Sequence, residues 1–445
     1  MTNSDWNLKG WRSRPALQQP EYEDPSEVER CVERLRNKPP LVAQGEVEHL
    51  RSILTGACEG KRFVLHGGDC AERFTDCTGP SLTAKLQVLL QMSLVLTFAT
   101  RRPVIRIGRF AGQYAKPRSE EHEQVGDLRL PVYRGSLVNA HQADPEARRP
   151  DPERMIDGYH HSAASLNYIR ALIEGGFADL HHPEHWDLAF IEGSPYQEAY
   201  RHAVDAITDA IALMETVGAS TSADSLRRIE FYTSHEALLL PYEEGLTRVL
   251  QEGAVYNLGA HFLWLGYRTS APDGAHVEYL RGIRNPLGIK IGPKSDEQDL
   301  LEGLRILDPN REPGRITLIT RFGERDVASH LSRIIRAIGQ SGHPVIWSCD
   351  PMHGNTETAA DGRKTRRVDA VFSELEQSFE IHSKMGTCLG GVHFELTGEP
   401  VTECIGGSGG VTESDLAQCY ATACDPRLNG AQALEMAFLI ARLLR

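Results

Sequence analysis

The chain has 445 residues, 40% of them hydrophobic and 24% charged, and a formal net charge of −13 at pH 7. This composition is ordinary for a globular protein, and the length allows one elaborated domain or two to three smaller ones. The acidic balance argues against nucleic acid or an anionic membrane as the main partner, because both require a basic face.

The amino-terminal segment carries no recognisable targeting signal. Residues 1–15 lack a basic stretch followed by an apolar core, so we expect neither a signal nor a transit peptide, and a cytoplasmic location. No run approaches 18 uninterrupted apolar residues, so we expect no membrane span. The nine cysteines are odd in number and scattered, which fits reduced thiols better than a disulfide framework.

Residues 1–60 form a predicted extension ahead of the first strand, with helices expected over residues 25–38 and 45–60. We expect this extension to serve packing, oligomerisation or regulation rather than catalysis. Residues 80–100 form a long apolar helix that we take as too short, and too rich in Gln, Ser and Thr, to cross a membrane. Residues 61–445 are expected to form the catalytic domain.

Eight short apolar segments, separated by helical stretches, each end in a cluster of charged residues, histidine or cysteine. They are Arg62–Cys70, Pro103–Phe110, Ile229–Glu236, Phe262–Arg268, Leu287–Pro293, Ile316–Phe322, Pro344–His353 and Val392–Glu399. Strands that are apolar along their length and reactive at the carboxyl end are typical of a (β/α)8 barrel, whose chemistry lies at one face. The predicted fold class is therefore α/β, a TIM barrel.

The interval between the second and third strands, residues 111–228, is much longer than a βα unit needs. Helices are expected over residues 152–176 and 194–218, and we place a helical insertion at about residues 176–228. The loop between these helices contains three histidines, His181, His182 and His185. They lack the acidic or cysteine partners of a metal site, so a solvated loop explains them better.

Four residues of metal-ligating type fall at or near predicted strand ends: Cys70, His353, Glu395 and Asp425. One thiolate, one imidazole and two carboxylates suit a divalent transition metal, and the thiolate makes the set unlike a Mg²⁺ site. Each residue alone also has a structural explanation, and no pair has CxxC-like spacing. Their shared position at strand ends favours a metal site at the barrel mouth.

Basic residues also lie at or near the strand ends: Arg109, Lys116, Arg268, Lys290, Arg321 and Lys364. Because unpaired buried cations are costly, this set predicts anionic ligands, with arginine binding phosphate or carboxylate bidentately. Ion pairs with nearby Asp and Glu are the alternative. Lys290 could instead form a Schiff base in the manner of an aldolase. The Gly-rich residues 404–416 could cradle phosphate or make a tight turn into a capped helix.

Several longer motifs resemble a single family. They are WRSRPALQQPEY, VLHGGDCAERF, RIGRFAGQYAKPRS, YTSHEALLLPYE, GIKIGP, CDPMHGNT, VHFELTGEPVTECIGGSGG and CDPRLN. Together they resemble class II (plant and actinobacterial type) 3-deoxy-D-arabino-heptulosonate 7-phosphate (DAHP) synthases over nearly the whole chain. The resemblance implies a (β/α)8 transferase that condenses phosphoenolpyruvate with erythrose 4-phosphate and water, releasing phosphate, at the start of the shikimate pathway to chorismate and the aromatic amino acids.

The resemblance also implies a role for individual residues. The implied metal ligands are Cys70, His353, Glu395 and Asp425, with Mn²⁺ expected and Co²⁺, Fe²⁺ or Zn²⁺ as further candidates. The implied phosphoenolpyruvate pocket consists of Arg109, Trp264, Arg268, Lys290 and Arg321, and Lys116 and Ser119 are implied near the erythrose phosphate. The expected catalytic residues are Lys290, Lys364 and His353, with the proton donor left open between Lys364 and a water on the metal.

Tyr267 departs from the family pattern, which has Glu at this position, and makes the local field more positive. This leaves open a related synthase of specialised metabolism that uses an amino or imino sugar phosphate. A catalytically inactive barrel is a further alternative, but the chain retains all four predicted metal ligands, which argues against it.

The resemblance also implies a dimer or tetramer and a chorismate mutase partner. Cys424 is expected to approach Cys70, so that oxidation would remove the metal's thiolate.

Overall fold

Eight parallel strands form a closed barrel in this computed structural model, which describes residues 6–177, 195–216, 229–250 and 253–444. We number the barrel strands in chain order: β1 Phe63–Gly68, β2 Val104–Arg109, β3 Tyr232–Glu236, β4 Phe262–Leu265, β5 Leu287–Ile291, β6 Ile316–Thr320, β7 Val345–Cys349 and β8 Leu389–Glu395. Each strand pairs with its neighbours in sequence order, and β1 pairs with β8 to close the ring. The predicted (β/α)8 barrel is confirmed.

The helices of the described chain surround this barrel and precede it. In order they are α1 Pro25–Arg36, α2 Gln44–Cys58, α3 Gly79–Thr100, α4 Arg154–Glu174, α5 Gln197–Thr216, α6 Leu240–Leu246, α7 Ala275–Leu280, α8 Glu297–Leu307, α9 Val327–Ser341, α10 Val368–Lys384 and α11 Gly430–Leu443. The predicted helices of the extension and of the interval after β2 correspond to α1, α2, α4 and α5. The domain limits at residue 60 and at about residue 176 stay predictions.

Helix α2 packs into one end of the barrel interior. Its buried face, formed by Leu50, Ile53, Leu54 and Ala57, belongs to one apolar cluster with inward-facing strand side chains. The strand members of that cluster are Val64, Ile105, Ile107, Tyr232, Phe262, Trp264, Ile319 and Ile346. Burial of this apolar surface fixes the extension to the barrel, and the polar residues of the strand ends lie toward the opposite end.

Helix α3 is a core helix that passes by length and composition as a possible membrane span. It has 22 residues with a mean hydropathy of 1.5 over the most apolar window, and 67% of that window is buried within the protein. By length and composition the helix could cross a membrane, so the expectation that it is too short, and too rich in Gln, Ser and Thr, was wrong. Its burial, with Leu86, Leu89 and Leu96 fully covered, explains its composition.

Each predicted strand overlaps an observed one, but the bounds differ by up to four residues. The strand β3 begins three residues after its predicted start, and β8 begins three residues before its predicted start. The sequence pattern placed this start at Val392, whereas the strand begins at Leu389 and includes Gly390 and Gly391. A side chain at Gly390 would meet the Ala57 carbonyl at 2.8 Å, and one at Gly391 would meet Val64 at 2.7 Å. These glycines allow α2 and β1 to approach β8, so here they do not mark a loop.

The interval between β2 and β3 holds a hairpin, His122–Val125 with Leu128–Pro131, and then α4 and α5. The hairpin was not predicted, and its strands are short and largely polar. The three histidines of the loop after α4, His181, His182 and His185, lie outside the described residues.

Candidate active site at the carboxyl ends of the strands

A cavity of about 530 Å³ opens where the barrel strands end. Ten residues predicted for the site line it: Cys70, Arg109, Lys116, Ser119, Arg268, Lys290, Arg321, His353, Lys364 and Asp425. The remaining two, Trp264 and Glu395, are buried directly behind the lining, at 1% and 0% exposure. The structure therefore brings all predicted site residues to one place.

The pairing of β1 with β2 and β8 determines which side chains form the back of the cavity. Gly68 at the end of β1 lies between Arg109 of β2 and Glu395 of β8 as their direct pairing partner. A side chain at Gly68, whose φ is +146°, would meet the Arg109 backbone at 2.8 Å. A glycine is needed here because it lets the chain turn toward Cys70 while Arg109 and Glu395 approach each other.

Three of the four predicted metal ligands form a tight cluster. One ligand atom each from Cys70, Glu395 and Asp425 lies within 4.8 Å of the others. The fourth, His353, has Nε2 at 2.9 Å from Glu395 Oε1. One sulfur, one imidazole nitrogen and two carboxylates converge, a donor set that fits a divalent transition metal.

The Lys116 ammonium lies within this cluster. Its Nζ atom is 2.6 Å from Cys70 Sγ, 2.7 Å from Asp425 Oδ2 and 3.7 Å from Glu395 Oε1. Burial acts to lower the Lys116 pKa, but Asp425, Cys70 and Glu395 raise it well above its usual range. A cation thus already balances these donors, which supports the fit of a positive ion at this place.

A buried carboxylate supports the His353 imidazole from behind. Asp350 Oδ2 lies 2.7 Å from His353 Nδ1 and 3.0 Å from Lys290 Nζ. Burial opposes ionisation of Asp350, yet His353 and Lys290 lower its pKa well below the usual range. An acceptor on Nδ1 leaves Nε2 free to bind a ligand, the arrangement found behind metal-binding histidines. Asp350 was not predicted, although it directly follows β7.

Glu395 is held ionised at the base of the cluster. Burial opposes ionisation, but His353, Lys116 and Arg366 lower the Glu395 pKa well below its usual range. Arg366 Nη2 lies 2.7 Å from Glu395 Oε2, and Arg109 Nη2 donates to Oε1 at 3.2 Å. The position of Arg366 had no strand-end signal in the sequence, because it lies on a separate short hairpin.

The predicted anion-binding residues line the other side of the cavity. The Arg109 guanidinium and the Lys290 ammonium lie over the Trp264 ring, at 5.3 and 5.9 Å from its centre. Burial lowers the Lys290 pKa, with Asp350 acting in the opposite direction. Arg268 Nη2 donates to Ser119 Oγ at 2.7 Å. The residues assigned to two phosphorylated substrates therefore face one space.

Tyr267 takes part in the cavity wall. Its ring lies below the Arg321 guanidinium, 5.6 Å from the ring centre, and its hydroxyl accepts a hydrogen bond from the Lys294 N–H at 3.0 Å. Arg321 also donates to the His353 carbonyl at 3.0 Å. Tyr267 therefore presents its ring to Arg321, one of the arginines predicted to bind an anion, where a glutamate would pair with that arginine.

The end of β3, which had no predicted role, contributes in three ways. Ser234 joins a hydrogen-bonded chain inside the barrel, and His235 pairs with buried Glu243 at 3.0 Å. Glu236 lines the cavity, and burial raises its pKa despite the opposing charges of Lys290 and Lys116. Its Oε1 atom has no hydrogen-bond partner among the described residues.

A chain of four hydrogen bonds crosses the barrel beneath Arg109. Arg109 Nη1 donates to His393 Nε2 at 2.8 Å, so His393 carries its proton on Nδ1. That proton faces His66 Nδ1 at 3.0 Å, which places the His66 proton on Nε2, 2.7 Å from Ser234 Oγ. Ser234 donates to the Gly108 carbonyl at 2.9 Å. Burial lowers both histidine pKa values well below the usual range, so both rings are neutral.

The Gly-rich segment after β8 makes a turn and does not line the cavity. Thr412 caps the short helix Glu413–Asp415, and the Ser408 N–H donates to Glu435 at 2.8 Å. The sequence left two explanations open, a phosphate cradle and a tight turn. The structure favours the tight turn, because the Glu435 carboxylate already accepts the hydrogen bond of the Ser408 N–H.

Comparison with known proteins identifies the family of this chain. Residues 6–441 match the model of the class-II DAHP synthetase family. Three proteins named phospho-2-dehydro-3-deoxyheptonate aldolase are similar over nearly the full length. The one from Neurospora crassa is 47% identical, covering 98% of this chain and 94% of its own. Those from Streptomyces coelicolor and Mycolicibacterium smegmatis are 45% and 43% identical, covering 98% and 97% of this chain and 96% and 93% of their own.

The similarity to solved structures is distant. A DAHP synthase from Thermotoga maritima aligns over 86% of this chain and 69% of its own, at 12% identity and a TM-score of 0.38. The barrel assignment rests on the strand pairing, and the family assignment rests on the match over residues 6–441 and on the identities of 43–47%. This chain belongs to the class-II DAHP synthetase family.

Proposed function

We propose that this chain condenses phosphoenolpyruvate with erythrose 4-phosphate and water, giving DAHP and inorganic phosphate. Carbon 3 of phosphoenolpyruvate forms the new bond to the aldehyde carbon, water adds at carbon 2, and phosphate leaves as the ketone forms. The observation that carries the proposal is one cavity that joins a thiol–imidazole–carboxylate cluster to a set of cations, in a chain of this family.

We propose that Cys70, His353, Glu395 and Asp425 hold a divalent metal, with Mn²⁺ as the first candidate and Co²⁺, Fe²⁺ or Zn²⁺ as the others. When bound, the metal would polarise the aldehyde carbonyl as a Lewis acid. The chemistry of the donors and the Lys116 cation among them support the assignment. Metal binding there would displace the Lys116 ammonium, which could then turn toward a substrate phosphate.

The cations bind and align the two substrates in this proposal. Arg109, Lys290 and Arg321, backed by the Trp264 ring, hold the carboxylate and phosphate of phosphoenolpyruvate. Lys116 and Ser119 hold the sugar phosphate. The family resemblance placed Arg268 in the phosphoenolpyruvate pocket, but its contact of 2.7 Å with Ser119 leads us to assign it to the sugar phosphate instead. Such positioning lowers the barrier by fixing the reacting carbons beside each other.

Two further groups can manage protons. Lys364 Nζ lies 2.8 Å from Asp425 Oδ1, beside the cluster where the aldehyde oxygen would lie, and can donate to the new alkoxide. Glu236 lines the same cavity at the end of β3, and we propose that its carboxyl group orients the water that adds at carbon 2. We propose both roles from the positions of the two side chains.

The direct test follows phosphoenolpyruvate consumption with erythrose 4-phosphate and identifies the product. We expect consumption only when both substrates are present, with stoichiometric DAHP and phosphate. Arg109→Met is expected to abolish this consumption without loss of folding.

An inactive wild-type chain would support the inactive-barrel alternative. Preference for the amino analogue of the sugar phosphate would favour the specialised synthase, and borohydride trapping of substrate on Lys290 would favour the Schiff-base route.

We also propose that the chain is a cytoplasmic homo-oligomer, a dimer or tetramer, and that chorismate mutase is a candidate partner. Light scattering of the purified chain tests the first point, since a monomer would contradict it. A pull-down with purified chorismate mutase tests the second.

A further inference from the structure

The amino-terminal extension contacts the loops that carry the candidate site. The Gln18 side chain accepts a hydrogen bond through Oε1 from the Arg118 N–H, at 2.8 Å, in the loop after β2. The Gln19 side chain donates to the Leu238 carbonyl at 2.8 Å, in the loop after β3. The carbonyl of residue 15 accepts from the Ala275 N–H at 3.0 Å, after β4. One short segment thus contacts the chain after each of three neighbouring strands, in two loops and at the start of α7.

This segment is fixed at its start by a buried carboxylate. Glu244 is fully buried on α6 and accepts hydrogen bonds from Trp11 Nε1 at 3.0 Å and Arg12 Nε at 3.1 Å. Arg36 of α1 also pairs with Glu244. Because a buried carboxylate is costly without such partners, these contacts hold the extension in one place relative to the barrel.

The Gln18 hydrogen bond lies one residue away from the sugar-phosphate side of the proposed site. The residue after Arg118 is Ser119, whose Oγ accepts from Arg268 Nη2 at 2.7 Å. The Arg118 side chain is itself held by Glu123 at 2.9 Å. The backbone at this point is therefore fixed from the extension on one side and from the hairpin on the other.

We propose that Gln18 is a positioning residue that sets the Ser119–Arg268 pair for the phosphate of the aldose substrate. The inference rests on the proposed function and adds to it a role for the extension, which the sequence assigned to packing, oligomerisation or regulation. Loss of the Gln18 acceptor frees the Arg118 N–H, loosens the loop at Ser119 and weakens binding of the sugar phosphate, while the phosphoenolpyruvate side keeps its own contacts.

Gln18→Gly is the appropriate variant. Gln18 has φ of +63°, a left-handed conformation that glycine adopts without strain, so the change removes the acceptor and spares the backbone. Leu17→Ala is the matched control, because Leu17 is the preceding residue and its side chain is 52% exposed. Circular dichroism and thermal melting report whether each variant folds as the wild type does.

We expect Gln18→Gly to raise the KM for erythrose 4-phosphate roughly three- to tenfold, the effect of one lost hydrogen bond, with the KM for phosphoenolpyruvate and the melting temperature unchanged. Amide hydrogen exchange over residues 116–119 should accelerate in Gln18→Gly and not in Leu17→Ala. An unchanged KM for the sugar phosphate, equal changes in both KM values, or unchanged exchange would overturn the inference. A wild-type chain that makes no DAHP would instead overturn the proposed function, and the exchange measurement would still report on the loop.

Discussion

Lys116 Nζ lies 2.6 Å from Cys70 Sγ, so a residue assigned to a substrate phosphate contacts one assigned to a metal. The two assignments are compatible if the ammonium and a divalent metal alternate at the same donors. We therefore predict that Lys116→Met binds Mn²⁺ at least as tightly as the wild type, because the competing cation is gone. Its KM for erythrose 4-phosphate should rise at least tenfold from loss of a charged hydrogen bond. Calorimetric titration with Mn²⁺ checks the metal affinity, and steady-state kinetics check the KM. Weaker Mn²⁺ binding by Lys116→Met would contradict the proposal that the ammonium and the metal alternate at these donors.

The histidine chain beneath Arg109 predicts defined proton positions. Nitrogen-15 NMR of histidine-labelled protein should show two neutral rings, with His393 protonated on Nδ1 and His66 on Nε2. His66→Leu removes the acceptor that holds the His393 proton on Nδ1, so His393 no longer has a fixed acceptor nitrogen for Arg109. We therefore expect the KM for phosphoenolpyruvate to rise roughly three- to tenfold. Ser234→Ala, at the far end, serves as the control and should have a smaller effect. A charged imidazolium at either position, or unchanged kinetics in His66→Leu, would rule out the assigned chain.

Cys424 and Cys70 both line the cavity and lie close enough to influence each other's ionisation, so Cys424 approaches Cys70 as the sequence led us to expect. That proximity lowers the Cys424 pKa, whereas burial and the same proximity raise the Cys70 pKa well above its usual range. We predict that a mild oxidant inactivates the enzyme by joining the two sulfurs, and that reductant with metal restores activity. Mass spectrometry of the oxidised protein should show the linked peptides, and Cys424→Ser should be resistant. Equal oxidant sensitivity of Cys424→Ser would count against this pairing.

Tyr267 keeps the anion side of the cavity free of an additional negative charge. Replacement by Glu would place a carboxylate beside Arg321, whose guanidinium lies 5.6 Å from the Tyr267 ring centre. We expect Tyr267→Glu to raise the KM for phosphoenolpyruvate roughly tenfold through pairing with that arginine. Tyr267→Phe, which keeps the ring and loses only the hydroxyl, should change it little. A lower KM in Tyr267→Glu would show that the tyrosine weakens this site.

Much of this architecture was readable from the sequence because strand ends in a barrel share one face. The runs Arg62–Cys70, Pro103–Phe110 and Val392–Glu399 predicted the strands and the grouping of Cys70, Arg109 and Glu395, and the structure places these side chains together. The family motifs then supplied a role for each residue. Local patterns were sufficient wherever the strand itself directs the side chain.

Contacts that depend on register between distant strands were not readable. His66 and His393 are direct partners across β1 and β8 but lie 327 residues apart in the chain. The contact between Gln18 and Arg118 likewise joins segments 100 residues apart. The start of β8 was misplaced because Gly390 and Gly391 indicate a loop when α2, which requires them, is not in view.

The most direct test of the central claim is phosphoenolpyruvate loss in the presence of erythrose 4-phosphate, measured before and after chelation. We expect the wild-type chain to consume phosphoenolpyruvate only with the sugar phosphate, to lose this activity when the metal is removed, and to regain it with Mn²⁺. Cys70→Ser should remain folded, bind Mn²⁺ weakly and stay inactive after the same addition. Consumption that persists in chelator, or that does not depend on erythrose 4-phosphate, would contradict a metal-dependent DAHP synthase built on this cluster.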